Sequence, residues 1–331
     1  MRMKQIGWAG ALLAAALAWA AQPAWAALTL DPGLKAYKKV SGVSGTLKSI
    51  GSDTLNNLMT LWAEGFKSQY PDAKIEIEGK GSSTAPPAMV SGTAHFGPMS
   101  RPMKAAEADK FEKKYGYKPA AMRVSVDALA VYVHKDNPIK CMTMQQVDAV
   151  FSKTRRGGLK QAIATWGQLG MTGEWASKPI SLYGRNSASG TYGYFKEVAL
   201  FNGDYSDSVK EQPGSSTVVQ GVASDKFGIG YSGIGYKTAD VRSVPLAAKP
   251  GAACYDAIAE AAYSGNYPIS RFLYIYLNKN PNQGLDPLRA EFIRFVYSRE
   301  GQQINIKDGY FPVTNDLALE DLKKLGLAMM N

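Results

Sequence analysis

Cysteine and histidine are almost absent from this 331-residue sequence. It has two cysteines, Cys141 and Cys254, and two histidines, His95 and His134. Structural zinc sites and histidine-activated nucleophiles are built from these residue types, and neither an HExxH nor a CxxC spacing occurs. We therefore predict no metal site, no cofactor and no catalytic residue, and hence a protein that is not an enzyme.

The two cysteines leave two interpretations open. In an oxidising compartment, Cys141 and Cys254 can form one disulfide bond. Two free, buried thiols are the alternative, and nothing in their spacing decides between the two.

Dense basic blocks are also missing, although the formal net charge is +10. The Lys and Arg residues are scattered along the chain, and no RNA-binding signature occurs. This distribution argues against nucleic acid as a partner. The positive sign nevertheless favours an anionic ligand, because a net charge attracts its opposite through a long-range field.

Long hydrophobic runs are missing except at the N-terminus. There, Arg2 and Lys4 precede an apolar run over residues 6–21, and Ala24-Trp25-Ala26 supplies small residues at the positions that signal peptidase reads. We interpret residues 1–26 as a secretory signal peptide. The alternative is an uncleaved anchor helix, for which the run is short. Cleavage removes Arg2 and Lys4, lowers the net charge from +10 to +8, and leaves a soluble protein outside the cytoplasm.

The rest of the chain alternates between helix and strand patterns, which predicts the α/β fold class. Apolar residues on one face over 55–66 predict a helix, and the run over 124–133 predicts one apolar strand. The length corresponds to about two domains. A break near Asn137 and a proline-containing stretch before Phe272 are candidate crossings between two lobes. We predict lobe I from residues 27–134 and 270–331, and lobe II from residues 135–269.

Three short loops share one composition, rich in Gly, Ser and Thr, and each leads into a predicted helix. They are Gly51-Ser52-Asp53-Thr54, Gly81-Ser82-Ser83-Thr84 and Arg185-Asn186-Ser187-Ala188-Ser189-Gly190-Thr191. A helix start has unpaired backbone N–H groups and a partial positive charge, so it suits an oxyanion. Each loop alone is explained by ordinary helix capping. Three together, one with an arginine that can hold two oxygens of an anion in its planar fork, indicate an oxyanion site.

These loops and the run Phe96-Gly97-Pro98-Met99-Ser100-Arg101 resemble the ligand loops of periplasmic phosphate-binding proteins. Such proteins are the solute-binding components of phosphate ABC transporters. The resemblance extends from about Gly45 to the C-terminal region, and the Arg-x-x-x-Ser-Gly-Thr run is its most specific part. It implies a two-lobed periplasmic-binding-protein fold of type II, a Venus flytrap with a ligand cleft between the lobes.

The resemblance also implies which residues bind phosphate. In the family, the loop that corresponds to the first one here donates from a hydroxyl and from a backbone N–H. The second donates from a hydroxyl, and the arginine-containing loop is the main phosphate clamp. The implied set is Thr54, Leu55, Ser82, Ser100, Arg185, Ser189, Gly190 and Thr191.

Ser100 departs from the family pattern, because several members carry an aspartate there. That aspartate accepts the proton of hydrogen phosphate and thereby rejects sulfate. A serine hydroxyl can accept or donate, so selectivity against sulfate or arsenate stays open. We interpret the nearby Asp53 as the N-cap of its helix, with a substitute proton acceptor as the alternative. We interpret Arg101 as the partner of a surface carboxylate, with ligand contact as the alternative.

The implied function is phosphate uptake under phosphate starvation. A periplasmic monomer would close its hinge around inorganic phosphate and deliver it to a phosphate ABC permease in the inner membrane. The rival hypotheses are a secreted phosphatase built on the same scaffold, for which the sequence offers no evident metal cluster or nucleophile, and a phosphate scavenger that needs no transporter. Ser187 and Ser189 beside Gly190 could suggest a serine nucleophile with a histidine as base, but the flanking pattern is not GxSxG. A GxGxxG match at 228–233 is interpreted as glycines within a strand and not as a nucleotide site.

Overall fold

The computed structural model describes residues 28–329, so the predicted signal peptide lies outside the described residues. Within this range the chain forms twelve strands and ten α-helices. The strands are β1 Gly45–Gly51, β2 Ala73–Gly79, β3 Phe96–Met99, β4 Ala120–Ala128, β5 Ala130–His134, β6 Met142–Thr143, β7 Ser181–Arg185, β8 Lys210–Gln212, β9 Gly228–Ser232, β10 Val241–Ser243, β11 Leu246–Ala247 and β12 Ser270–Leu277.

The ten α-helices alternate with these strands over much of the chain. They are α1 Asn56–Gln69, α2 Ala85–Ser91, α3 Ala105–Tyr115, α4 Met144–Phe151, α5 Gly190–Val198, α6 Ser215–Ser224, α7 Ala259–Tyr263, α8 Pro287–Tyr297, α9 Arg299–Lys307 and α10 Asn315–Lys324. None of the helices within residues 28–329 combines the length and apolarity required to span a membrane.

Two five-stranded mixed sheets form the two halves of the molecule, which confirms the α/β class. The first has the order β2-β1-β3-β12-β4 and the second the order β10-β5-β9-β7-β8. β1 runs parallel to β2 and β3, whereas β12 runs antiparallel to β3 and β4. After β12 the chain stays with the first sheet, because α8 packs on β1, α9 on α1 and α10 on β4.

The chain passes from the first sheet to the second at Leu129. β4 ends at Ala128 in the first sheet, and β5 begins at Ala130 in the second. The prediction of one strand over 124–133 was therefore wrong: both strands are apolar and buried, so composition carries no sign of the change of sheet. Because Ala130–His134 pairs with the second sheet, we propose that the first lobe boundary lies at Leu129 and not between residues 134 and 135. We propose that the chain returns to the first lobe just before Ser270.

The buried face of α1 and the end of α3 follow from local sequence patterns. The buried face of α1 is formed by Leu58, Met59, Trp62 and Phe66, while Leu55 belongs to a 3₁₀ turn that precedes the helix. α3 ends at Gly116, which has φ of 81°, a left-handed conformation that favours glycine.

A disulfide bond joins Cys141 to Cys254, with a Cα–Cα distance of 6.1 Å. Of the two interpretations left open by the sequence, the bonded one holds. Cys141 directly precedes β6, Cys254 precedes Tyr255, which bridges to Leu246 of β11, and both cysteines lie between the two passages at Leu129 and Ser270. The disulfide bond therefore links two segments of the same lobe and does not connect the two lobes.

Candidate functional site

The first candidate loop follows β1 directly. Ser52 N–H donates to the Pro98 carbonyl at 2.8 Å, which ties the loop to the end of β3. Residues Asp53–Leu55 then form a 3₁₀ turn in which Thr54 and Leu55 are buried, and α1 begins at Asn56. The Leu55 side chain lies in the hydrophobic core, so only its backbone N–H is available for the predicted role.

The second loop and the end of β3 meet at two serines. Ser82 begins a 3₁₀ turn that leads into α2, whose first turn contains two prolines, a residue type suited to the start of a helix. The Ser100 N–H donates to Ser82 Oγ at 3.0 Å, and the two hydroxyl oxygens are 3.3 Å apart. Both serines are fully buried. Two loops of the first lobe thus present their hydroxyls at one place.

The arginine-containing loop joins β7 to α5 in the second lobe. Arg185 ends the strand, and Ser189 is the N-cap of α5. Ser189 Oγ accepts hydrogen bonds from the N–H groups of Thr191 at 3.1 Å and Tyr192 at 3.3 Å. Gly190 and Thr191 form the first helical positions, so this end of the helix faces the first lobe.

The loops of the two lobes converge on one point. Thr54 Oγ1 lies 2.9 Å from Thr191 Oγ1, and Ser100 Oγ lies 3.5 Å from the same atom. A Cβ on Gly190 would lie 2.2 Å from Ser82 Oγ and 2.6 Å from Ser100 Oγ. Only glycine allows this approach of the helix to the two serines. Four hydroxyls from loops of two lobes therefore face each other across the closed cleft.

Comparison with known proteins accounts for this arrangement. Residues 38–300 match the family model of a PBP superfamily domain. The phosphate-binding protein PstS of Pseudomonas aeruginosa is 60% identical over 302 residues, which cover 91% of this chain and 94% of that protein. The chain belongs to the PstS family.

Solved structures agree with the family assignment. A protein from Clostridium perfringens, assigned as a phosphate ABC transporter substrate-binding protein and solved with bound phosphate, superposes with a TM-score of 0.69 at 25% identity, covering 82% of this chain and 100% of that one. An ABC-type phosphate transport receptor from Vibrio cholerae superposes with a TM-score of 0.62 at 20% identity, covering 81% and 100%. The second likeness concerns the fold alone.

Arg185 is the most completely buried cation in this PstS-family site, with 1% of its side chain exposed. Its Nη1 donates to Ser215 Oγ at 2.6 Å and lies 3.2 Å from Asp53 Oδ2, and its Nη2 donates to a backbone carbonyl at 3.2 Å. Its Nε, also buried, has no partner among the described residues. Burial lowers the pKa of Arg185, and the carboxylate of Asp53 opposes that shift.

Asp53 does not cap its own helix. Instead, its Oδ2 accepts from both the N–H and the Oγ of Ser215 at 2.8 Å each. Ser215 begins α6 in the second lobe, and a carboxylate there also complements the helix dipole. The N-cap interpretation was wrong because the sequence around Asp53 gives no information about a helix 162 residues away. Asp53 is a bridge between lobes, and it also pairs with Arg185.

Arg101 pairs with Glu107 through two bonds of 2.7 and 2.8 Å, and its Nη2 also donates to Ser83 Oγ of the second loop at 3.5 Å. Burial alone would raise the pKa of Glu107, but hydrogen bonds from Arg101 and from the Lys104 N–H outweigh it and lower that pKa. The carboxylate-partner interpretation of Arg101 is confirmed.

Sequence reasoning missed two charged residues in the site, Asp127 and Arg271. Both lie within strands of the first sheet and are buried. Arg271 Nη2 donates to Thr191 Oγ1 at 3.0 Å, and Asp127 Oδ2 accepts from the same nitrogen at 2.8 Å. The available signal was a charged residue inside an otherwise apolar strand, since such charges are rarely buried without a partner.

The alternative sites find little support. The glycines at 228 and 230 lie within β9, as interpreted, and do not form a loop before a helix. The hydrogen-bond partners of the two histidines lie elsewhere: His95 Nδ1 accepts from the Lys48 N–H, and His134 Nδ1 accepts from the Asp136 N–H. Within residues 28–329, no cluster of three potential metal ligands occurs.

Proposed function

We propose that this protein binds inorganic phosphate between its two lobes and delivers it to a phosphate ABC permease in the inner membrane. The observation that carries the proposal is the convergence of four hydroxyls from both lobes beside a buried arginine. Thr54, Ser82 and Ser100 come from the first lobe, and Thr191 comes from the second. A tetrahedral anion offers several acceptor oxygens to such a ring of donors.

Two hydroxyls of the ligand loops, those of Ser82 and Ser189, are oriented to donate. An oxygen that already accepts an N–H must direct its own proton elsewhere. Ser82 Oγ accepts from the Ser100 N–H, and Ser189 Oγ accepts from two N–H groups of α5. With Arg185 Nε still unpaired, the site offers donors in excess, which suits a multiply charged anion. We propose that phosphate contacts the set Thr54, Leu55, Ser82, Ser100, Arg185, Ser189, Gly190 and Thr191.

The Ser100 hydroxyl is less constrained by hydrogen bonds than that of Ser82. No N–H donor is directed at its oxygen among the described residues, and its neighbours are the hydroxyls of Ser82 at 3.3 Å and Thr191 at 3.5 Å. By donating to Ser82, it can turn a lone pair toward the proton of hydrogen phosphate. We propose that it accepts this proton, although a hydroxyl rejects sulfate less strongly than a carboxylate.

The affinity of such a site follows from a few strong bonds. A hydrogen bond to a charged group contributes about 1.5–3 kcal/mol net. Several of them reach the ~8 kcal/mol of micromolar binding after association costs. The likeness to PstS proteins supports transport in place of phosphoester turnover, so we propose a monomeric, non-enzymatic binding protein without nucleic acid as a partner. A periplasmic location suits the disulfide of Cys141 and Cys254.

The test is calorimetric titration of the processed protein after bound phosphate has been stripped. We expect one-to-one phosphate binding at micromolar or lower concentration, weaker sulfate binding, and no hydrolysis of a phosphomonoester. Absence of phosphate binding by folded, verified ligand-free protein would refute the proposal. Equal binding of sulfate would reduce it to a general oxyanion-binding function, and steady phosphoester turnover would favour the secreted phosphatase. Retained phosphate binding without any effect on uptake in cells that lack the protein would favour the transporter-independent scavenger.

A further inference from the structure

Arg271 is a second buried arginine at the candidate site, on the strand with which the chain re-enters the first sheet. Its side chain is 2% exposed, and it lies opposite Asp127 in the antiparallel register of β12 and β4. Nε and Nη2 both donate to Asp127 Oδ2, at 2.9 and 2.8 Å. The pairing lets a cation be buried here at acceptable cost, because its charge is matched within hydrogen-bond distance.

The remaining bonds of Arg271 reach the ligand loops of both lobes. Nη1 donates to the Ser100 carbonyl at 2.7 Å, and Nη2 donates to Thr191 Oγ1 at 3.0 Å. The guanidinium also lies over the ring of Tyr194 in α5, 5.3 Å from its centroid. The Tyr194 hydroxyl in turn donates to the Ser270 carbonyl at 2.5 Å. The N-terminal half of α5 therefore contacts this arginine and the residue before it.

The guanidinium of Arg271 fixes the direction in which the Thr191 hydroxyl donates its proton. An arginine can only donate, so Thr191 Oγ1 must accept from it. The proton of Thr191 is then directed away from Arg271, toward Thr54 Oγ1 at 2.9 Å or an anion between the lobes. We propose that Arg271 is a positioning residue that holds the Thr191 hydroxyl as a donor to the bound anion. This inference rests on the proposed function.

Asp127 completes the arrangement by fixing the fork of Arg271. Its second oxygen, Oδ1, accepts from the Ile234 N–H of the other lobe at 2.9 Å. Asp127 is fully buried, and both of its oxygens are engaged. The carboxylate thus orients the arginine and neutralises its charge, so that the arginine acts on the anion mainly through Thr191.

A double-mutant cycle tests the inference by phosphate calorimetry on the whole, stripped protein. The variants are Arg271→Gln, Thr191→Val and their combination. Glutamine is chosen because its amide can still donate to Asp127 but cannot reach Asp127, Ser100 and Thr191 together. We expect Arg271→Gln to weaken phosphate binding about 10- to 100-fold, since one charge-assisted bond is lost. In the Thr191→Val background, the same change should alter the Kd less than about threefold.

The matched control is Arg123→Gln. Arg123 lies on the same strand as Asp127 and forms its own pair with Asp321 at 2.6 Å, with no hydrogen bond to the ligand loops. It should leave the phosphate Kd unchanged. If Arg271→Gln does not unfold cooperatively without phosphate, Arg271→Lys replaces it in the cycle, because lysine keeps the charge but lacks the fork.

Two results would overturn the inference. If the Arg271 variant binds phosphate like the unmodified protein, the arginine has only a structural role. If its effect is equally large with and without the Thr191 hydroxyl, it acts on the anion directly and not through Thr191. Failure of the unmodified protein to bind phosphate would instead refute the proposed function, so the two failures are distinguishable.

Discussion

The two arginines of the candidate site differ in how completely the protein satisfies them. Arg185 bridges the cleft to Asp53 at 3.2 Å and keeps its buried Nε without a partner among the described residues. Arg271 pairs within its own sheet with Asp127 at 2.8 Å, and every nitrogen of its guanidinium donates to a protein atom. A buried donor without a partner is costly, and we propose that phosphate supplies the partner of Arg185 Nε.

We propose that this difference separates a residue that binds the anion, Arg185, from a residue that positions a donor, Arg271. Removing a binding residue should abolish phosphate affinity. Removing a positioning residue should reduce phosphate affinity only while the group that it positions, here the Thr191 hydroxyl, is present. The following predictions test that distinction, from the largest expected effect to the smallest.

Arg185→Ala should have the largest effect on phosphate binding. It removes the unpaired donor and leaves Asp53 without its cation, so two or more charge-assisted interactions are lost at about 1.5–3 kcal/mol each. We expect the Kd to rise at least 100-fold in calorimetric titration.

The matched control for Arg185→Ala is Arg242→Ala. Arg242 also belongs to the second sheet, but its guanidinium donates to the backbone carbonyls of Asn137 and Ile139, away from the ligand loops. This variant should lose stability and keep its phosphate affinity. A loss of affinity of less than tenfold in Arg185→Ala would contradict the assignment of that residue as the main clamp.

Gly190→Ala should prevent the lobes from meeting. The added methyl would lie 2.2 Å from Ser82 Oγ and 2.6 Å from Ser100 Oγ, closer than any real contact. We expect a ~100-fold weaker Kd with little change in the melting temperature of the ligand-free protein, because the clash arises only in the closed state.

Gly193→Ala is the control for that steric effect. Gly193 lies in the same helix, and the nearest atom to its added methyl is Arg101 Cδ at 3.5 Å, an ordinary contact. The substitution should leave phosphate binding within about twofold and raise helix stability slightly. Equal losses in the two glycine variants would mean that the helix, and not the approach to the serines, limits binding.

Ser100→Ala should have a smaller effect than Ser82→Ala. Ser82 Oγ accepts from the Ser100 N–H at 3.0 Å, so its removal also strands a buried donor. The Ser100 hydroxyl holds no such bond. We expect a loss of about threefold for Ser100→Ala and about tenfold or more for Ser82→Ala, with the phosphate-to-sulfate ratio falling only in Ser100→Ala. An unchanged ratio would remove Ser100 from the proposed selectivity mechanism.

The smallest expected effect is that of Asp308 on how the free energy of unfolding depends on pH. Unlike Asp53 and Asp127, this carboxyl receives a neutral donor, the side-chain amide of Asn57. Burial raises the pKa of Asp308 to about 6, and Asn57 only partly opposes the shift. The folded protein then binds more protons than the unfolded chain between about pH 4 and pH 6. The free energy of unfolding should therefore fall as pH rises through this window.

The slope from this one group is at most about 1.4 kcal/mol per pH unit. Asp308→Asn should remove it, as measured by urea unfolding at a series of pH values and compared with the unmodified protein. The exposed Asp72 offers a control, because Asp72→Asn should leave the slope unchanged. A pH dependence that survives Asp308→Asn would show that another group carries the proton.

Much of the site was predictable because its parts are local. A Gly/Ser/Thr loop before an apolar helix is complete within about ten residues, so loops containing Thr54, Ser82 and Ser189 could be found from sequence alone. The buried face of α1 and the glycine stop of α3 were predictable for the same reason.

The parts that could not be predicted depend on pairing between distant segments. Asp127 and Arg271 are 144 residues apart, and Asp53 and Ser215 are 162 apart. Only the register of β12 on β4 and the closure of the lobes bring these groups together. The change of sheet at Leu129 was hidden because two apolar strands read as one when a single residue separates them.

The two passages between the sheets lie side by side, since the Leu129 N–H donates to the Ile269 carbonyl at 3.1 Å. If the lobes swing about this pair of crossings, points close to it travel the shortest arcs. Asp127 and Arg271 each lie two residues from a crossing, and are therefore close to this hinge. Arg271 can therefore stay close to α5 of the other lobe with little movement, and we expect its bond to Thr191 to form as the lobes close, so that this donor is aimed by the same motion that encloses the anion.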